Sequence, residues 1–91
     1  MPEKTRKLQK TLEELHAELD RAELDAELRS ELRRTADEIR DALASSGTTA
    51  PDLPATIGDR LRAAIERFEQ EHPKLTLATG RVVDALAEMG L

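Results

Sequence analysis

From Ile57 to Met89 the apolar residues keep a single helical phase. Large apolar side chains stand at Ile57, Leu61, Ile65, Phe68, Leu75, Val82, Leu86 and Met89, and Ala64 fills the gap. At about 100° per residue these positions share one side of a helical wheel, and the phase survives the His72-Pro73 step. The pattern predicts helix over 56–91, with one face built to lie against another helix. Proline is comfortable in the first turn of a helix but costs roughly 3 kcal/mol in its middle. That favours a break at His72 with Pro73 opening a new helix, whereas the unbroken phase favours one long kinked helix. Either way the chain turns a corner or kinks there. Gly90 follows the last stripe residue and can take the left-handed conformation that ends a helix, with Leu91 folding back on the final turn.

The N-terminal half carries two stripes of different phase. Leu8, Leu12, Leu15 and Leu19 recur at alternating steps of four and three, which predicts a helix from about Glu3 to Arg21. Leu24, Leu28, Leu32, Ala36, Ile39 and Leu43 form the second stripe, rotated roughly 160–280° from the first on a common wheel. One straight helix would bury opposite faces in its two halves. A break near Ala22 to Asp25 removes the conflict, with Asp25 placed to cap the second helix. A tight hairpin follows, since short connections make antiparallel neighbours; the alternative is one long helix with different partners along its length. The polar stretch with Pro51 and Pro54 reads as a linker over 45–55. Thr56 followed by Asp59 reads as a helix-start signal.

These elements describe an all-α chain forming a single domain over residues 1–91: an N-terminal helical region (3–44), a linker (45–55) and a C-terminal helical region (56–91). Bundle or coiled-coil-like packing joins a helical hairpin to a helix pair or a kinked long helix. In 91 residues, 22 are Leu, Ile, Val, Met or Phe, and 13 of the remaining apolar positions are alanine. Burying a large side chain is worth roughly 1.5–3 kcal/mol, against an ordering cost of about 1–2 kcal/mol per residue. Small helical chains commonly close that balance by pairing with a copy of themselves. The C-terminal stripe is therefore the expected contact of a homo-oligomer, a dimer first, and another protein binding the same stripe is a close variant.

Charge narrows the classes further. The net charge is −5, which argues against a general nucleic-acid binder. Lys4, Arg6, Lys7 and Lys10 make the opening segment basic, a pattern that ordinarily marks a solvated helix face. Phe68 is the one aromatic residue, so base stacking on aromatic rings is not available as a recognition mode. No run approaches the roughly 20 apolar residues of a membrane span, and the basic N-terminus lacks the apolar run of a signal peptide. A soluble, cytoplasmic protein without membrane contact is the expectation. With no cysteine there is no disulfide, thiolate metal site or cysteine nucleophile.

The run Glu66-Arg67-Phe68-Glu69-Gln70-Glu71-His72-Pro73-Lys74-Leu75, with the ending Ala87-Glu88-Met89-Gly90-Leu91, resembles a family of small bacterial proteins known as domain of unknown function 4404. The leucine-rich Leu12-Glu13-Glu14-Leu15-His16-Ala17-Glu18-Leu19 is similar to that family's N-terminal helical region. Leu91 stands where isoleucine is more typical of the family, and either fills an apolar pocket. The resemblance implies helices and a bacterial source. It implies no activity, cofactor or catalytic residue.

Two Glu-x-x-His steps, Glu13 to His16 and Glu69 to His72, carry the main chemical alternative. An i, i+3 spacing puts both side chains on one helix face, and paired steps of this kind hold two-metal sites in four-helix bundles. Such a site needs further glutamates, for which Glu31, Glu38 and Glu66 are candidates in charged, outward-looking contexts. A boundary role for His72 is simpler: before Pro73 it can cap the next helix through its ring or carbonyl, or pair with Glu69. Arg33 with Asp37, Arg34 with Glu38, Arg62 with Glu66, Arg67 with Glu71 and Arg81 with Asp84 read as intrahelical pairs. Gly80 beside the stripe offers close approach for a neighbouring helix. The sequence thus points to a non-enzymatic, self-associating interaction module without cofactor, and a metal-binding helical bundle is the alternative.

Overall fold

A computed structural model describes residues 3–46 and 56–90. Four helices follow in order: α1 (Glu3–Arg21), α2 (Ala26–Ser46), α3 (Ile57–Phe68) and α4 (Pro73–Glu88). Each packs on its neighbours in a closed ring, α1 on α2 and α4, and α3 on α2 and α4. The α1–α4 contact is the most extensive and α2–α3 the sparsest. Ion pairs between helices show that every step reverses direction. Lys7 near the start of α1 meets Glu88 at the end of α4, while Glu14 meets Arg81. Asp20 late in α1 meets Arg33 early in α2, and Glu38 and Glu31 of α2 meet Arg60 and Arg67 of α3 in reversed order. The architecture is an up-down-up-down four-helix bundle.

The hairpin at Ala22–Asp25 is present, and it reconciles the two N-terminal stripes. Once the chain reverses, Leu8, Leu12, Leu15 and Leu19 of α1 face the same interior as Leu28, Leu32, Ala36, Ile39 and Leu43 of α2. The Asp25 carbonyl accepts from the Arg29 amide, the first bond of α2. The Arg29 guanidinium reaches back to the Ala22 carbonyl, supplying a donor just past the end of α1 where backbone acceptors lack helical partners. α2 continues to Ser46, past the expected linker boundary; the two linker prolines and the Leu91 fold-back lie outside the described residues. Thr56 occupies the N-cap position of α3 but makes no side-chain cap bond. Asp59 instead accepts from Arg62 at 3.3 Å.

At His72-Pro73 the two readings separate cleanly. α3 closes with the amides of Glu71 and His72 donating to the Phe68 carbonyl, at 3.1 and 2.9 Å. His72 leaves helical geometry at φ −133° and ψ 72°, and Pro73 opens α4 in its first turn. The continuous kinked helix is therefore replaced by a full reversal within four residues. His72 caps through its carbonyl, which accepts from the amide and the hydroxyl of Thr76, both at 3.0 Å, and its ring makes no cap bond. Because the missing proline amide falls where a helix has no partner for it, Pro73→Ala is expected to be neutral or mildly destabilising by thermal melting. A marked rise in melting temperature and helicity would contradict this arrangement.

The interior is one cluster drawn from all four helices. α4 contributes a wide face of Leu75, Ala78, Thr79, Val82, Val83, Ala85 and Leu86, because it touches both α1 and α3. Three buried hydroxyls are satisfied locally, those of Thr11, Thr35 and Thr79 donating to the carbonyls of Leu8, Glu31 and Leu75 at 2.8–2.9 Å, while Arg29 Nε is buried without a partner. At the C-terminus Gly90 takes φ +86°, the left-handed end the sequence predicts. Gly80 has a different role from the one its position suggests. A Cβ there would meet nothing within 4 Å, so no helix approaches it closely. Gly80→Ala is expected to stabilise the protein by about 1 kcal/mol through helix propensity, readable as a melting-temperature rise of roughly 4–8 °C. A fall would show that a neighbour does need the space.

Candidate functional site

The stripe expected to bind a second chain lies inside this one. Ile57, Leu61, Phe68, Leu75, Val82 and Leu86 are buried in the core, and Ile65 and Met89 pack partly buried against it. α1 and α2 of the same chain supply the cover. The stripe was legible as a buried face, but its covering partner is intramolecular.

The Glu-x-x-His steps are also placed apart. His16 sits midway along α1 and faces α2. Its Nδ1 lies 2.9 Å from the Leu12 carbonyl, which can only accept, so Nδ1 donates there. Nε2 lies 3.0 Å from Arg40 Nη2 and 3.5 Å from the Asp37 carboxylate. His72 lies at the α3–α4 turn near the end of α1, where it borders the same shallow depression as Glu18 and Arg21. Glu69 has left α3, so Glu69 and His72 do not share a helix face. Among the described residues no three His, Asp or Glu side chains gather in a group that could hold a metal ion. Glu31 and Glu38, candidate ligands by sequence, are engaged by Arg67 and Arg60.

The five pairs expected within helices are replaced by others. Arg33, Arg67 and Arg81 reach across to Asp20, Glu31 and Glu14, Glu38 takes Arg60, and Arg62 takes Asp59. A guanidinium on a long stem spans to an adjacent helix as readily as to the next turn of its own. Each exposed pair contributes about 0.2–1 kcal/mol. Their sequence along the helices nonetheless matches only the antiparallel register.

Two of the surface concavities lie between helix pairs away from both histidines. Between α2 and α3 a cleft of about 350 Å³ has Leu32, Thr35, Ala63 and Ala64 beneath Arg34, Arg60 and Arg67. Between α1 and α4 a similar one of about 360 Å³ has Ala17 and Ala78 in its lining, with Glu14, Glu18 and Arg21 from α1 and Lys74 and Arg81 from α4. Leu77 stands on its edge, 62% exposed, the only large apolar side chain so exposed among the described residues. Sequence reasoning passed over Leu77. Its signal was a leucine two residues after Leu75, some 200° round the wheel and thus opposite the buried stripe.

A family model described as "Domain of unknown function (DUF4404)" matches residues 8–91, nearly the whole chain. The chain belongs to that family. No curated protein and no solved structure matches it. The DUF4404 match takes in α1 from Leu8 onward and the whole of α2, α3 and α4, so the Phe68 corner and most of the α1–α4 face fall within it. No described helix is long and apolar enough to cross a membrane.

Proposed function

We propose that this DUF4404 chain is a non-enzymatic interaction module that works through contact between helix faces, with a second copy of itself as first partner. The observation that carries this reading is the α1–α4 face. Scattered single leucines are common on protein surfaces. This one is set apart by the depression beside it, which has Ala17 and Ala78 in its lining and charges of both signs around it. Small residues admit a knob from a facing helix. The marginal energy balance of a small alanine-rich bundle adds a reason to bury more surface.

Sedimentation equilibrium tests the reading. The expected result is an average mass rising above 10.1 kDa across the micromolar to millimolar range. The monomer mass throughout that range would overturn it.

A further inference from the structure

We infer that the α2–α3 cleft is a binding site for a small organic carboxylate, its head group on Arg34 and its apolar body over Ala63. Glu31, Arg34 and Glu38 on α2 face Arg60, Ala63 and Arg67 on α3, spaced i, i+3 and i+7 in each helix. Antiparallel ion pairs fix their register. Glu38 meets Arg60 at one end of the seam, and Glu31 meets Arg67 at the other. Each step along α2 is matched by a step back along α3, which brings Arg34 opposite Ala64, with Ala63 one residue away. The seam is thus a ladder of carboxylate–guanidinium rungs whose middle rung is half built. The arginine is present, and alanine stands where an acid would complete it. The space left is the cleft of about 350 Å³, within the usual size range of small-molecule sites. It opens where the packing between neighbouring helices is sparsest.

Charge and surface together select the occupant. Arg34 is exposed and has no ion-pair or hydrogen-bond partner among the described residues. The acids one turn away on its own helix, Glu31 and Glu38, are held by α3. Three guanidiniums therefore stand against two carboxylates, an excess of one positive charge in a chain whose net charge is −5. A single carboxylate neutralises that excess, whereas a phosphate dianion overshoots it. Guanidinium takes a carboxylate through two parallel N–H···O bonds, the same chemistry as the rungs on either side. Beneath Arg34 the lining is Leu32, Thr35, Ala63 and Ala64. The Thr35 hydroxyl is already donated to the Glu31 carbonyl, so the floor presents the ligand with mainly apolar surface. An apolar body laid there gains by leaving water. The self-association proposed above makes no use of this cleft, so either reading can fail alone.

Hexanoate, acetate and inorganic phosphate are the probes, followed by heteronuclear NMR of the full chain in low-chloride buffer. Hexanoate should move the Arg34 side-chain resonance and the amides of Ala63 and Ala64 saturably, with a Kd of about 1–10 mM, as suits an exposed site. Acetate, which has the head group without the apolar body, should bind at least about 4-fold more weakly, the worth of one buried methylene. Phosphate should also bind more weakly than hexanoate. Arg34→Gln should weaken hexanoate binding at least about 10-fold, with an unchanged melting curve because the residue is exposed. Ala63→Glu supplies the missing acid from α3. It should abolish the response, and its Arg34 resonance should already lie near the position that hexanoate produces in the wild type. Shifts spread evenly over the arginines, acetate or phosphate binding as tightly as hexanoate, or an undiminished response in Arg34→Gln would each overturn the site.

Discussion

Phe68→Ala is expected to cost roughly 3–5 kcal/mol of folding stability, the range for emptying a buried aromatic site. Phe68 is 3% exposed and is the chain's one aromatic residue, so no second ring can shift to fill the space. It also stands in the last turn of α3, where its carbonyl receives the two amides that close the helix. The side chain anchors the corner to the core while the backbone forms the corner. A domain of this size typically has about 5–15 kcal/mol in all, so the variant should approach the threshold of unfolding. Urea denaturation measures the loss, and Phe68→Leu, which keeps most of the apolar volume, should lose clearly less. An unchanged midpoint for Phe68→Ala would place the ring outside the core. The effect belongs to folding: at concentrations where the protein is monomeric, it should be just as large.

Phase along a helix was legible because it is a local property. Thirty-odd residues from Ile57 to Met89 announce a buried face, and Leu8 to Leu19 announce another. Where two phases conflict, as between Leu19 and Leu28, the sequence even locates the turn. What covers a face is not local. α1 and α2 can cover the C-terminal stripe within one chain, or a second copy can, with the same apolar residues in either case. Counting large side chains could not separate these, because the alanines matter as much: Ala36, Ala64, Ala78 and Ala85 are all buried and let the four helices close around one axis.

The His72-Pro73 step shows the same limit. Pattern alone offered a kink or a break, and unbroken phase spoke for the kink. Glu69 still has helical angles, φ −60° and ψ −31°, whereas His72 leaves them at φ −133° and ψ 72°, a change that the spacing of apolar residues does not register. The carboxylate–arginine pairs failed for a different reason. Spacing of three or four within a helix and proximity across an antiparallel pair are both open to the same arginines, and geometry chooses the second for Arg33, Arg67 and Arg81. Leu77 was hidden by the success of the stripe, since a residue out of phase carries no weight in a search for periodicity.

Val82→Asp is expected to destabilise the fold severely at neutral pH, with a loss above about 4 kcal/mol, the range reached when an unpaired charge enters a core. Val82 is fully buried in α4. The side chains around its level belong to the apolar cluster, and the cations of α4 stand on its exposed side. Five residues earlier on the same helix, Leu77→Asp exposes its new carboxylate to water and should leave folding stability within about 0.5 kcal/mol. The contrast isolates burial, since both changes introduce the same group into one helix. pH supplies an independent check. Burial raises a carboxyl's folded pKa above the roughly 3.9 of an unfolded aspartate. The folded variant then binds its proton more tightly than the unfolded chain. Its deficit relative to wild type should therefore be smallest below about pH 4 and grow as pH rises through the folded pKa. Denaturation at acid and neutral pH, compared with wild type under each condition, measures both terms. Equal deficits at both pH values, or a Val82→Asp variant as stable as Leu77→Asp, would remove Val82 from the interior and with it the four-helix closure around α4.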